Sequence, residues 1–228
     1  VYAMASANAD VCDAVTYRVL QELSVAFYES NTIDKRSSII AMGTQVLEAL
    51  NEQLKEKAIP SVVYVSQFWD AVSSALDSKD LKKEVSEALC RLILFPEHVN
   101  TDIICSHIVK GLLDEDQAIV EQTITGIEWI YRYNQQIISQ VILKALLSQD
   151  NVQQQFASVV AAVTKIGTTC SAVSPVIVDC LFGLLTTTSE TKNRTEILST
   201  INILLEKAQL EDQRAIDYIK TTIGLVLA

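Results

Sequence analysis

Only two histidines, His98 and His107, and five cysteines, Cys12, Cys90, Cys105, Cys170 and Cys180, offer imidazole or thiol chemistry in this 228-residue chain. Cys105 and His107 fall two residues apart in a stretch with helical spacing. Positions two apart on a helix point about 200° away from each other, so they make a poor metal pair. No C-x-x-C pair occurs, and five widely spaced cysteines among apolar neighbours read as buried, reduced thiols. His98 sits in the connection Phe95-Pro96-Glu97-His98-Val99-Asn100, and both histidines read as solvated or partner-facing. The run Asp114-Glu115-Asp116 is dense enough in carboxylate to suggest magnesium. It lies where a turn should open a helix, however, and the helix dipole favours carboxylates there without any ion. Phosphate-cradling glycine loops, nucleophile elbows and H-E-x-x-H zinc motifs are absent from the sequence. The expectation is therefore no catalytic residue, no metal, no cofactor and no enzyme.

One cluster has the composition of a contact site. Trp129, Tyr131, Arg132 and Tyr133 place three aromatics and a cation within five residues. Consecutive helical positions cannot all face inward, so some of these side chains reach the surface or a seam between helices. Aromatics and arginine are the types enriched at binding hot spots. Arg91 and Glu128 fall at equivalent places in adjacent helical units and join them as candidate partner-binding residues.

Composition narrows the setting. The net charge is −10, with basic residues no denser than Lys35-Arg36 and Lys82-Lys83. Counterion release from a phosphate backbone needs Lys and Arg clusters, so direct nucleic-acid binding is not expected. An acidic surface suits solubility or a protein partner with basic segments. No apolar run approaches the ~18 residues of a membrane span, no signal-peptide pattern is visible, and the reduced thiols point to a cytoplasmic or nuclear setting. Six glycines and three prolines are few for a turn-rich β fold of this length.

The elements that must position those residues are helices. Apolar residues recur at i, i+3, i+4, i+7 almost throughout. Val65, Phe68, Trp69, Val72 and Leu76 precede Val85, Ala88, Leu89, Leu92 and Ile93; Ile104, Ile108 and Leu112 precede Val120, Ile124, Ile127 and Tyr131. A third pair runs Ile138 to Ala145 and Val152 to Val163, and a fourth Val178 to Leu185 and Ile197 to Leu205. Phe68, Trp69 and Phe156 fall on these apolar stripes and read as core. Each pair carries a similar turn in which apolar residues close one helix and an Asp/Ser/Thr/Asn run opens the next. Those turns place Leu76, Leu113, Leu147 and Leu185 in equivalent positions. Asp114 with Gln117, Asp150 with Gln153, and Thr187 with Glu190 have capping-box spacing, and Ser174-Pro175 reads as an N-cap followed by proline.

Two-helix units of this period resemble HEAT repeats. Asp80-Leu81-Lys82-Lys83-Glu84-Val85-Ser86-Glu87-Ala88-Leu89 is most similar to that family's turn and second helix, and the resemblance covers 61 to about 205. It implies an all-α, right-handed α-solenoid of stacked antiparallel helix pairs, about five HEAT- or armadillo-like units and about 11 helices over a single domain, 1–228. Within it, 10–57 form an irregular first pair, 61–205 the regular repeats, and 211–228 a half-repeat that ends a truncated array or offers a contact surface. In HEAT-like stacks the second helices line the concave face. The resemblance thus implies a non-enzymatic scaffold for protein partners, with Trp129, Tyr131, Arg132, Tyr133, Glu128 and Arg91 on that face. Two rival readings are a fragment of a nuclear transport receptor, which would concentrate acids on the second helices, and a helical magnesium enzyme, which would need converging carboxylates.

Overall fold

The computed structural model describes residues 9–54 and 63–207, with side chains over 18–52 and 64–207. Every regular element among the described residues is helical, as the apolar periodicity predicts. The expected helix over 211–228, Pro60 and the Cys12 side chain lie outside the described residues. The chain divides into two compact units, Val1–Tyr133 and Asn134–Ala228.

In the first unit, α1 (Ala9–Glu29) and α2 (Ile33–Leu54) are 21 and 22 residues long, whereas α3 (Val63–Ser73) and α4 (Lys82–Leu92) have 11 each. α1 and α2 are the longest helices of this unit, and in length they set the expected irregular first pair apart from the later ones. A 3-10 turn, Lys79–Leu81, feeds α4. Next come α5 (Thr101–Leu112) and α6 (Gln117–Tyr133). α1 packs on α2, α3 on α4, α4 on α5 and α5 on α6, and helices two apart pack as well: α1 on α3, α2 on α4, α4 on α6. Phe27, Ile40, Leu47, Leu50, Phe68, Leu89, Ile104 and Ile127 are at most 2% exposed in the resulting core. Gly43 of α2 leaves room for the Phe68 ring of α3. A Cβ there would lie 2.2 Å from the Phe68 ring.

The second unit begins with a helical segment interrupted by π geometry. α7 (Gln135–Ile137) passes through the π turn Ile138–Ile142 into α8 (Leu143–Leu146). The helix expected from Val152 to Val163 is two helices, α9 (Gln149–Gln154) and α10 (Phe156–Thr169), because Gln155 leaves helical geometry at φ −139°, ψ 44°. α11 (Ser174–Thr187) and α12 (Thr191–Lys207) follow, and α10, α11 and α12 pack mutually. Val159, Val163, Ile166, Ile177, Leu181, Leu185, Ile197 and Leu204 are fully buried there. Among the described residues no single helix is long and apolar enough to cross a membrane. Phe156–Thr169 and Ser171–Thr187 reach that length only together, bent by 118°.

The helix starts fall near the expected turns, but the capping residues differ. Asp116, not Asp114, caps α6: its Oδ1 accepts from the Ala118 backbone N–H at 2.9 Å. Asp114 instead braces the turn, accepting from the Asp116 N–H at 3.0 Å and pairing with Lys82. Asp150 lies inside α9, which starts after Ser148. The Thr187 hydroxyl donates backwards to the Leu184 carbonyl at 3.0 Å, at the end of α11. Ser174 is the first residue of α11, and its hydroxyl donates to the Gly167 carbonyl at 2.8 Å, satisfying one of the free carbonyls that close α10. A capping-box spacing fits several registers one or two residues apart, so the pattern alone could not select among them. Asn100 and Asn134, which carry no capping-box signature, cap α5 and α7.

Candidate interaction surface

Three helix ends meet where the candidate residues lie. α2, α4 and α6 each contribute their last turns, and Arg91 and Arg132 are the cations of two of them, where the negative end of the helix dipole favours positive charge. Gly126 permits close contact of α4 with α6. A Cβ there would lie 2.4 Å from Cys90 Sγ and 2.8 Å from Cys90 Cβ.

Arg91 is the hub. Its side chain is only 6% exposed, yet every face of the guanidinium is used. Nε and Nη2 donate to Glu48 Oε1 on α2 at 3.1 and 2.7 Å, and Nη2 lies 3.6 Å from Glu87 Oε1, one turn back on α4. The guanidinium carbon sits 4.8 Å from the centroid of the Trp129 ring on α6. A cation desolvated this far needs both ion partners and a π face to remain charged at low cost. Trp129 in turn lies against Tyr133, with centroids 5.1 Å apart and rings tilted 36°. Tyr133 donates its hydroxyl to Glu52 at the end of α2. Partial burial, the bond to Glu52 and that carboxylate's charge all push the Tyr133 phenol well above its ordinary range. The chain Glu48–Arg91–Trp129–Tyr133–Glu52 therefore ties α2, α4 and α6 into one layer.

Of the six candidates, then, Arg91, Trp129 and Tyr133 come together as a seam between helices. Glu128 and Arg132 form an exposed ion pair at 3.1 Å along α6. Tyr131 is half-buried and, two residues from both Trp129 and Tyr133, points to another side of α6. Sequence reasoning missed Glu48, Glu52 and Glu87, whose only local signal is helical spacing on polar faces. It also missed Asn51. That side chain is fully buried in α2, and among the described residues neither its carboxamide oxygen nor its nitrogen has a hydrogen-bond partner, nor does Trp129 Nε1.

The rest of the chemistry inventory is spread out. Cys90, Cys105 and Cys170 are buried as expected, but Cys180 is exposed on α11. Burial pushes the Cys90 thiol up to about 12 despite neighbouring Arg91. His98 and His107 are both half-buried rather than solvated. Phe68 and Trp69 are core, whereas Phe156 is half-exposed at the start of α10. Asp114 is partly buried, which alone would raise its pKa, but hydrogen bonds from Lys82 and the Asp116 N–H, with the Lys82 charge, hold the carboxyl below the usual aspartate range. Among the described residues no three His, Cys, Asp or Glu side chains converge as a metal-holding group.

Comparison of the chain with protein-family models, curated proteins and solved structures finds no match.

Proposed function

We propose that this chain is a non-enzymatic scaffold for protein–protein interaction, built from HEAT-like two-helix layers whose second helices form the binding face. The observation that carries the reading is the packing order of the first unit: each of α2 and α4 packs on the second helix of the next pair, and α1 packs on α3. Stacking of that kind leaves the outer sides of successive second helices side by side, which is how repeat proteins build extended contact surfaces. The binding of partners is an inference from architecture, and the surface chemistry sets its terms.

That chemistry favours a partner with basic segments. Around the buried Arg91, the carboxylates of Glu48, Glu52, Glu87 and Glu128 lie at least partly exposed, and Arg132 is the exposed cation among them. Like charges gathered on a partly desolvated layer attract an oppositely charged segment and speed its encounter. The acids are nonetheless not concentrated on the second helices as a whole. Lys35, Arg36, Lys82 and Lys83 occupy the opening turns of α2 and α4 and nearly balance them. This distribution supports a localised contact rather than the continuous acidic lining of a nuclear transport receptor.

The test is affinity purification of the full chain from its native cells, with and without the pair Glu52→Lys and Glu128→Lys. A discrete set of proteins recovered by the wild type and lost with the charge-reversed chain, at unchanged helicity by circular dichroism, supports the reading. Equal recovery by both chains moves binding off this face, and no specific recovery by either overturns the scaffold.

A further inference from the structure

We propose that the second unit carries a separate binding site, a groove for an extended, uncharged peptide segment of a partner protein. The groove has a volume of about 1380 Å³ and runs between the segment containing the π turn and α11, over α9 and the start of α10. Pockets for small molecules span roughly 300–1,000 Å³, so this one is of peptide rather than metabolite size.

Its lining specifies the ligand. Leu147, Val152, Phe156 and Leu184, each half-exposed, supply an apolar floor. Gln140, Gln149, Gln153 and Gln154 surround it, and none of their carboxamides has a hydrogen-bond partner among the described residues. A carboxamide offers one acceptor and two donors, the complement of a peptide unit. An α-helical ligand has already spent its backbone groups internally and would leave these amides idle. An extended chain has not: its N–H and C=O groups can pair with the glutamines while alternate side chains reach the floor. Among the described residues Lys144 and Glu190 are the only charged ones in the lining, of opposite sign, so a charged segment gains nothing from them.

Two backbone features open the groove. The π turn Ile138–Ile142 carries Ser139 and Gln140 into one wall, and such turns inside α-helices are frequent at functional sites. The break at Gln155 separates Gln149–Gln154 from α10 and sets that glutamine-rich turn beneath the groove. Gly183, on the α11 wall, has nothing within 4 Å of where a Cβ would stand, so a large side chain there would enter the groove without touching the core.

The groove belongs to the second unit and the acidic face to the first, so binding at one does not require the other. Its test uses the full chain and pooled, N-acetylated, C-amidated peptides of about ten residues, extended length about 33 Å. One pool is built from Leu, Ala, Ser, Asn and Gln; the other alternates these with Lys or Glu. Members of the uncharged pool should bind by fluorescence anisotropy, slow alkylation of the exposed Cys180 in the groove wall, and show extended backbone chemical shifts when bound. Gly183→Trp should weaken them at least about tenfold, and Gln153→Met about fivefold, the worth of one neutral hydrogen bond. The Glu52→Lys, Glu128→Lys chain should bind them like wild type. Absence of binding by the uncharged pool, preference for the charged pool, helical shifts in the bound peptide, or indifference to Gly183→Trp in a chain of wild-type helicity would each overturn the proposal.

Discussion

Replacing Arg91 tests the central layer most directly. Arg91→Ala removes two charge-assisted hydrogen bonds to Glu48, the approach to Glu87 and the cation over Trp129, and it leaves two carboxylates facing each other. Breaking a fully buried ion pair costs about 3–5 kcal/mol. Glu48 and Glu87 are 30% and 36% exposed, so water recovers part of that. Loss of the π contact adds about 1 kcal/mol. The net expectation is a loss of about 2–4 kcal/mol. Arg91→Lys should recover roughly half, because an ammonium keeps the charge but not the planar fork that reaches Glu48 twice and stacks on the indole. Urea unfolding followed by tryptophan fluorescence is a suitable assay, since both tryptophans, Trp69 and Trp129, belong to the first unit and report on it alone. A double-mutant cycle with Glu48→Gln should give a coupling of about 1–2 kcal/mol. A loss below about 0.5 kcal/mol for Arg91→Ala, or a coupling near zero, would refute the claim that this side chain locks α2 to α4 and α6.

Asn51→Leu should raise stability by about 1–2 kcal/mol in the same assay, because it removes a buried carboxamide that has no hydrogen-bond partner among the described residues; a loss of stability would mean that the amide is satisfied. Asp114 contributes stability that is fully present above the ordinary aspartate range and is lost as pH falls through that range towards its lower folded value. Wild type should therefore lose more stability than Asp114→Asn between about pH 5 and pH 2, and parallel curves would exclude a role for the Lys82 contact. Iodoacetamide at alkaline pH should label exposed Cys180 at least about tenfold faster than Cys90, Cys105 or Cys170, which need local opening first, as peptide mapping by mass spectrometry can show. Equal rates at Cys90 and Cys180 would contradict the packing of α4 against α6.

What the sequence by itself determined is the part written in short-range spacing. The i, i+3, i+4 recurrence is a property of neighbouring residues, so the all-helical class and the rough extent of most helices could be read directly. The Asp114–Asp116 run opens a helix as its place in the turn predicts, with Asp116 capping α6 and Asp114 bracing the turn. The aromatic cluster on α6 was also visible as something unusual, since three aromatics in five positions cannot share one buried face.

Only the tertiary structure decided how that cluster is used. Arg91 and Glu48 are 43 residues apart, and Tyr133 and Glu52 are 81 apart, so no local pattern links them. Their meeting depends on which helices stack, and stacking makes the candidate residues a seam with an acidic rim around it. The π turn at Ile138–Ile142 and the break at Gln155 were equally hidden, because no glycine or proline marks either place. Each is a small backbone adjustment whose cost is set by the packing around it. Periodicity fixes what a residue can face; the neighbouring helices fix what it meets there.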